Sequence, residues 1–338
     1  MSLFSRDLGI DLGTMHIRAA DSGRGEAVLL EEPMVAAIVV AEQVLVEWGG
    51  AAQDMFGRVP ESIEVTRPMR NGVIAEFEVT TLILRALLKK LGGPLPFFHP
   101  KVMITVPEGI TSVERRAVHE ATLRAGAGDV ALIQQPLAAA IGVDLPIGTP
   151  SGNMLVCLGG GATQAAVMAM YGIVSSEAIR SGGMQLDEAI MAYVRKKYGL
   201  VIGPATAEQV KLKIGAAVPL PEEQSLEIQG QDQVNGLPRP VTLTTGEIVE
   251  AIAEPLRDMV QMVRRTLEKT PPELVSDIID RGVALTGGGA LLRGIDKLMT
   301  KELGVPAYLV DNPTTCLAQG AARALKMRAL LRRNLPPV

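Results

Sequence analysis

The sequence predicts an α/β fold in which mixed or parallel sheets are covered by helices. Three observations carry this prediction. Short apolar runs of strand character alternate with amphipathic helical segments through most of the chain. Glycine turns close three of the runs. With 338 residues, 47% of them hydrophobic, the chain can build a large core and fill two domains of ordinary size.

The elements follow in order. "DLGIDLG" (7–13) reads as a buried strand, and "KVMITVP" (101–107), "VALIQQP" (130–136), "NMLVCLG" (153–159) and "GVALTGGG" (282–289) read likewise. Between them, "VTTLILRALLKKL" (79–91) sets Leu84, Leu87, Leu88 and Leu91 on one helical face. "TSVERRAVHEATLRAGAG" opens with a capping-box pattern, Thr111 to Glu114, and stops at Gly126 and Gly128. "DNPTTCLAQGAARALKM" predicts a helix starting at Asn312-Pro313. Residues 225–248 predict a hairpin with an Asn235-Gly236 turn, part of a small inserted subdomain.

Composition removes several function classes. A net charge of −4 argues against a general nucleic-acid binder. The two cysteines, Cys157 and Cys316, form neither a zinc spacing nor a disulfide framework, which fits a reducing, cytoplasmic setting. No partner cysteine can be set beside Cys157 from the sequence, so a redox role has little to rest on. "MSLFSRDLGIDLG" runs at once into a strand, unlike a signal peptide. The longest apolar run, Met34 to Ala41, is far too short to span a bilayer, so any membrane contact is expected to be peripheral.

The chemistry is carried by the glycine turns. "GIDLGTMHIRAADSG" (9–23) and "LVCLGGGATQAAVMAMYG" (155–172) are each strand, glycine turn, strand, with Asp11 and Cys157 at matching places 146 residues apart. Two such hairpins facing each other can grip a polyphosphate, because glycine admits φ > 0 and lets backbone N–H groups approach an anion. The third turn, "LTGGGALLRGIDKLM" (285–299), is read as strand running into helix, suited to the nucleoside end or a further phosphate contact. The spacing matches neither a P-loop nor a GxGxxG fingerprint.

These turns resemble the phosphate loops of the actin, heat-shock chaperone and sugar-kinase superfamily. The strings "IDLGT", "TVPEGITSVERRAV", "PLAAAIG", "LPIGTPSGNMLV", "LGGGAT", "GLVIGPATAEQVK", "LTGGGALLRGIDKLM" and "NPTTCLAQGAARAL", in that order, resemble the MreB family of bacterial actin homologues over nearly the whole chain. The resemblance implies an actin-like fold of two lobes, each a ribonuclease-H-like core with an inserted smaller subdomain. In this numbering, subdomain IA would take 1–31, 76–140 and 313–338, IB 32–75, IIA 141–180 and 244–312, and IIB 181–243. It implies ATP or ADP with Mg2+ in the cleft between lobes, filaments built from copies of the chain, and a place on the inner membrane face beside cell-wall elongation proteins. Carried across by residue, the first phosphate loop is Asp11, Gly13, Thr14, Met15 and His16, with Asp11 an outer-shell magnesium holder. The second is Gly159, Gly160, Gly161 and Ala162. Glu208 and Lys211 match the stretch near the adenosine, and Gly287, Gly288, Gly289 and Ala290 the third loop.

The sequence departs from the family pattern where the chemistry would be done. Cys157 stands for the aspartate that helps hold magnesium, Gln135 for the glutamate that positions the attacking water, and Gln164 for a further glutamate. Ala162 replaces a threonine, His16 an asparagine, and Lys213 a glutamate near the ribose. A thiol suits a hard cation poorly, and a glutamine orients water but accepts its proton badly. The expectation is a nucleotide-binding actin homologue with weak or absent ATP hydrolysis. A sugar-kinase-like phosphotransferase would need a catalytic aspartate that is not evident; a chaperone would need a substrate domain after the last helix; a nucleotide-independent scaffold is the remaining alternative.

One loop is greasy in an aromatic-poor chain. Glycines and prolines bracket Leu95, Phe97 and Phe98, which resemble the family's membrane-inserting loop, and Leu3 and Phe4 are expected to assist. The basic stretch 326–338 suits two roles: ending a helix favourably, which is the commoner one, or adding attraction to anionic lipid.

Overall fold

In the computed structural model, residues 7–23, 25–91 and 99–337 are described. Two five-stranded sheets of one topology form its centre. The first comprises β1 (Leu8–Leu12), β2 (His16–Asp21), β3 (Val28–Pro33), β4 (Lys101–Val106) and β5 (Asp129–Gln134), ordered β3-β2-β1-β4-β5. The second comprises β6 (Asn153–Leu158), β7 (Thr163–Ala169), β8 (Gly172–Ile179), β9 (Val283–Thr286) and β10 (Ala307–Leu309), ordered β8-β7-β6-β9-β10. In each, three strands form an antiparallel meander and two join in parallel. The innermost strands β1 and β6 are buried along their whole length, which is why apolar residues dominate them, with Asp11 and Asn153 as the buried polar exceptions. Two smaller three-stranded sheets stand apart, one within residues 36–66 and one within 200–244.

The helices α1 (Phe77–Leu91), α2 (Ser112–Arg124), α3 (Gln135–Gly142), α4 (Gly183–Tyr198), α5 (Pro204–Ile214) and α6 (Cys316–Lys326) matter most for the site. On α1, Ile83, Leu84, Leu87, Leu88 and Leu91 are buried at helical spacing. α2 begins with the expected capping box: Thr111 Oγ1 accepts from Glu114 N (3.2 Å), and Glu114 Oε2 accepts from Thr111 N (2.8 Å). One apolar cluster fills each lobe. A third is shared, joining Met103 and Ile133 of the first sheet, Leu155 and Ala166 of the second, and helices α3 and α6.

Three expectations need correction. The C-terminal helix starts at Cys316 rather than at Asn312-Pro313. Asn312 lies in the left-handed region (φ 52°), and the Pro313 carbonyl is engaged elsewhere, accepting from Gly287 N (2.8 Å) and Thr286 Oγ1 (2.9 Å). The hairpin between Ser225–Asp232 and Pro238–Thr244 does not turn on two residues. Asp232 pairs with Leu237, its carboxylate accepts from Val234 N (2.9 Å), and Gly236 alone takes positive φ (72°), so the loop spans 233–236. The third glycine turn does not pass directly into an α-helix: a 3-10 turn, Gly288–Leu291, intervenes before Ile295–Leu303.

Candidate functional site

A cavity of about 390 Å³ opens between the lobes, a size that suits a small-molecule ligand. The β1–β2 and β6–β7 hairpins enter it from opposite sides, and their turns close alike. Gly13 N donates to His16 O (3.1 Å), and Gly159 N donates to Ala162 O (3.0 Å). The tips meet: a Cβ at Gly161 would sit 2.5 Å from Thr14 Oγ1, and one at Gly160 would run into Met15 Cγ. None of Gly13, Gly159, Gly160 or Gly161 has positive φ, so close approach is what requires glycine here. In the third turn Gly287 does need it (φ 88°), and a Cβ there would strike the Leu158 carbonyl. The N–H groups of Thr14, Met15, Gly160 and Gly161 form no hydrogen bond among the described residues, and all four residues line the cavity. Unpaired backbone donors gathered at a concave tip suit an anion.

Asp11, Gly13, Thr14, Met15, His16, Gln135, Cys157, Gly159, Gly160, Gly161, Ala162, Glu208, Lys211, Gly287, Gly288 and Gly289 all line this cavity. Ala290 does not: it is buried in the core of the second lobe, because the 3-10 turn carries it inward. Lys213 is also not among the lining residues, and its carbonyl accepts from Arg293 Nη2 (2.7 Å). Leu3, Phe4, Leu95, Phe97 and Phe98 lie outside the described residues.

Sequence reasoning missed Arg18, Glu31, Asp187 and Arg293, all of which line the cavity. Register explains Arg18. It pairs opposite Asp11 across β1–β2 and opposite Glu31 across β2–β3, making a carboxylate–guanidinium–carboxylate row on one face of the sheet. Arg18 Nε donates to Glu31 Oε1 (2.8 Å), and Nη1 lies 3.7 Å from Asp11 Oδ2. The corresponding row of the second lobe is Cys157 opposite Gln164. Gln164 follows Arg18 by the same 146 residues that separate Cys157 from Asp11, so the offset already pointed to this position. Asp187 carries no such signal, since its partner Lys211 arrives from another helix (Nζ to Oδ2, 2.9 Å).

The electrostatics follow from burial. Burial raises the Asp11 pKa, opposed by Arg18 and by a hydrogen bond from Thr105 Oγ1 (2.8 Å). Burial lowers the His16 pKa, and Arg18 adds to the shift, so the imidazole is neutral at pH 7. Burial pushes Cys157 well above the ordinary thiol range, so it is a protonated thiol. Contrary to the sequence reading, Cys316 shares the apolar cluster of Cys157; both thiols are free.

The pKa of Asp187 is pushed up to about 6 by burial, against the pull of Lys211. A raised carboxylate pKa means that the folded chain holds this proton more tightly than the unfolded chain. Its effect on stability is therefore absent below about pH 4, becomes steadily more destabilising as pH rises from there to about 6, and is constant above that. Asp187→Asn is expected to flatten the fall in Tm between pH 4 and 7 relative to the parent. A parallel fall in both would contradict this titration.

The residues present do not suit a magnesium ion. Among the cavity-lining residues of the two facing hairpins Asp11 is the one carboxylate, and it already accepts from Thr105 and faces the Arg18 guanidinium. Cys157 offers a protonated sulfur. The Gln164 amide donates to Gln135 Oε1, while its own oxygen accepts from Glu108 N (2.7 Å). Among the described residues no group of three or more His, Cys, Asp or Glu could hold a metal. Helix α4 offers no free N-terminal amides to an anion, because Gly183 N and Met184 N donate to the Gly159 (3.0 Å) and Gly160 (2.8 Å) carbonyls.

Two lobes of one topology closing on a glycine-lined cleft define the actin-like class of protein. Sequence comparison places the chain within that class: it matches the family described as MreB/Mbl protein over residues 5–333, and it belongs to the MreB/Mbl family. It is similar to the cell shape-determining protein MreB of Escherichia coli (strain K12), with 44% identity over 330 residues covering 96% of this chain and 94% of that one. It is similar to the cell shape-determining protein Mbl of Bacillus subtilis (strain 168), with 42% identity covering 98% and 100%. The crystal structure of MreB5 of Spiroplasma citri bound to ADP matches with a TM-score of 0.90 and 31% identity, covering 97% and 98%. A MamK double helical filament shares the fold, with a TM-score of 0.79 and 20% identity, covering 94% and 98%. No helix among the described residues is long and apolar enough to cross a membrane.

Proposed function

We propose that this chain is an actin-like cytoskeletal protein of cell-shape maintenance and cell-wall synthesis. It binds a purine nucleotide, ATP or ADP, between its lobes and polymerises into filaments on the inner face of the cell membrane. Hydrolysis of that nucleotide is weak or absent. The observation that carries the reading is the pair of matched hairpin turns meeting across the cleft with their tip amides unpaired. Support comes from MreB5 of Spiroplasma citri, whose crystal structures are bound to ADP and to AMPPNP. The names of the MreB and Mbl relatives supply the cell-shape role.

The chain's own residues account for slow chemistry. Gln135, at the start of α3, lines the cavity but is tied to Gln164 and has no basic oxygen to take a proton from water. Cys157 adds no negative charge. What remains is binding: amides at two tips, Lys211 held by Asp187 and Gly183 O (2.9 Å), and Glu208 on the preceding turn of α5. The four-part division into IA, IB, IIA and IIB belongs to the same reading; the two large and two small sheets support it. So does peripheral membrane contact through Phe97 and Phe98, with membrane proteins of wall elongation as partners.

Negative-stain microscopy of the full chain with AMPPNP, with ADP and without nucleotide tests this, each with and without anionic vesicles. Filaments are expected with AMPPNP, lying on the vesicles. Changing Phe97 and Phe98 to serine is expected to release them from lipid while leaving the filaments intact. Filaments indifferent to nucleotide would favour a nucleotide-independent scaffold, and no filaments under any condition would reject the polymer.

A further inference from the structure

We propose that the cleft holds the polyphosphate of its nucleotide without a divalent cation, with the Arg18 guanidinium supplying the positive charge there. This rests on the nucleotide reading above and concerns how that same site is built. The cross-strand row puts Arg18 between Asp11 and Glu31 by register alone. The Arg18 side chain is only 11% exposed and lines the cavity. Glu31 anchors it from the more solvated side, through Nε (2.8 Å) and Nη2 (2.7 Å) to a single oxygen. Nη1 is turned toward Asp11 at 3.7 Å, an ion-pair separation too long for a hydrogen bond, and it makes no hydrogen bond among the described residues. Its N–H groups therefore remain for an anion.

A guanidinium fixed in this way does what a divalent ion would otherwise do for a polyphosphate, with directional donors suited to phosphate oxygens. It also opposes such an ion, since it repels a second cation and occupies the field of Asp11, the one cavity-lining carboxylate of the two facing hairpins. The second lobe agrees: its counterparts to Asp11 and Arg18 are Cys157 and Gln164, neither of which brings a negative charge. Asp11 here is the counter-ion of Arg18 rather than a metal ligand.

The test uses the full chain and a fluorescent ATP analogue, titrated in excess magnesium and again in excess EDTA. The proposal expects Kd values within about threefold of each other, a difference well under the tenfold that 1.4 kcal/mol represents. Arg18→Leu is expected to weaken binding in EDTA by roughly tenfold or more, the loss of one charge-assisted phosphate contact. It should also make binding respond to magnesium, because Asp11 loses its cation. Arg18→Lys should keep most of the metal-independent affinity. Tight binding in magnesium with loss in EDTA overturns the proposal and leaves the nucleotide reading standing. No binding of the parent chain in either buffer defeats both. Arg18→Leu binding like the parent in EDTA overturns the role of Arg18.

Discussion

Gly320→Ala is expected to destabilise the chain by about 3 kcal/mol or more, at or beyond the upper end of what overpacking usually costs. Helices α3 and α6 cross with their backbones in contact. A Cβ at Gly320 would lie on the Ala138 carbonyl, 2.7 Å from its carbon and 2.8 Å from Gly142 N. From the other side, a Cβ at Gly142 would strike the Cys316 carbonyl. Both obstacles are main chain, so no rotamer change relieves them. α6 has no room to retreat, because Ala318, Ala321 and Ala322 are fully buried and a Cβ at Gly9 of β1 would meet Ala322 N. This helix pair lies in the apolar cluster shared by both lobes, so the strain falls where the lobes join. Thermal unfolding should show a fall in Tm on the order of 6 °C or more. Gly304→Ala is the control: it has nothing within 4 Å of its Cβ, and only its left-handed φ (71°) resists, at about 1 kcal/mol. Equal shifts for the two variants would contradict this account of the crossing.

Gly161→Val is expected to weaken nucleotide binding by roughly tenfold or more, which corresponds to about 1.4 kcal/mol. The residue it meets is Thr14, whose Cβ would lie 2.9 Å from the new Cβ and whose Cγ2 would lie 2.8 Å away. Thr14 is buried, β-branched and tied by its hydroxyl to Gly72 N (2.9 Å), so it cannot swing aside cheaply. The hairpin tips must part instead, and the two sets of amides then no longer converge on one ligand. Gly160→Ala is expected to do less, because the atom it meets, Met15 Cγ, belongs to a flexible side chain. Measuring Kd for the three chains checks the order; undiminished affinity of Gly161→Val would show that the tips do not grip together.

Much of this was legible in the sequence, for a physical reason. Fully buried central strands such as Leu8–Leu12 and Asn153–Leu158 are mostly apolar, with Asp11 and Asn153 the buried exceptions, and glycines must stand where two hairpins touch. The repeat of strand, turn and strand at a fixed offset therefore exposed both halves of the cleft. Pairings made only in three dimensions were not legible. Asp187 meets Lys211 across two helices, and Arg293 reaches the Lys213 carbonyl from the third turn. Arg18 is an intermediate case: charged residues in strands usually face solvent, and only the register turns this one toward Asp11. Ala290, carried over from the resemblance, stands in a 3-10 turn with its side chain in the core of the second lobe rather than in the cleft. The resemblance supplied the proposed position of the nucleotide, and the departures from it supplied the expectation about chemistry.

The central claim is that the facing turns hold a triphosphate while the groups that would cleave it are missing. Its most direct test is to load the purified full chain with ATP, incubate it, remove free nucleotide and chromatograph what the protein has kept. Intact ATP, close to one per chain, is the result predicted. Recovery of ADP would contradict the lost chemistry, and recovery of no nucleotide would contradict the grip.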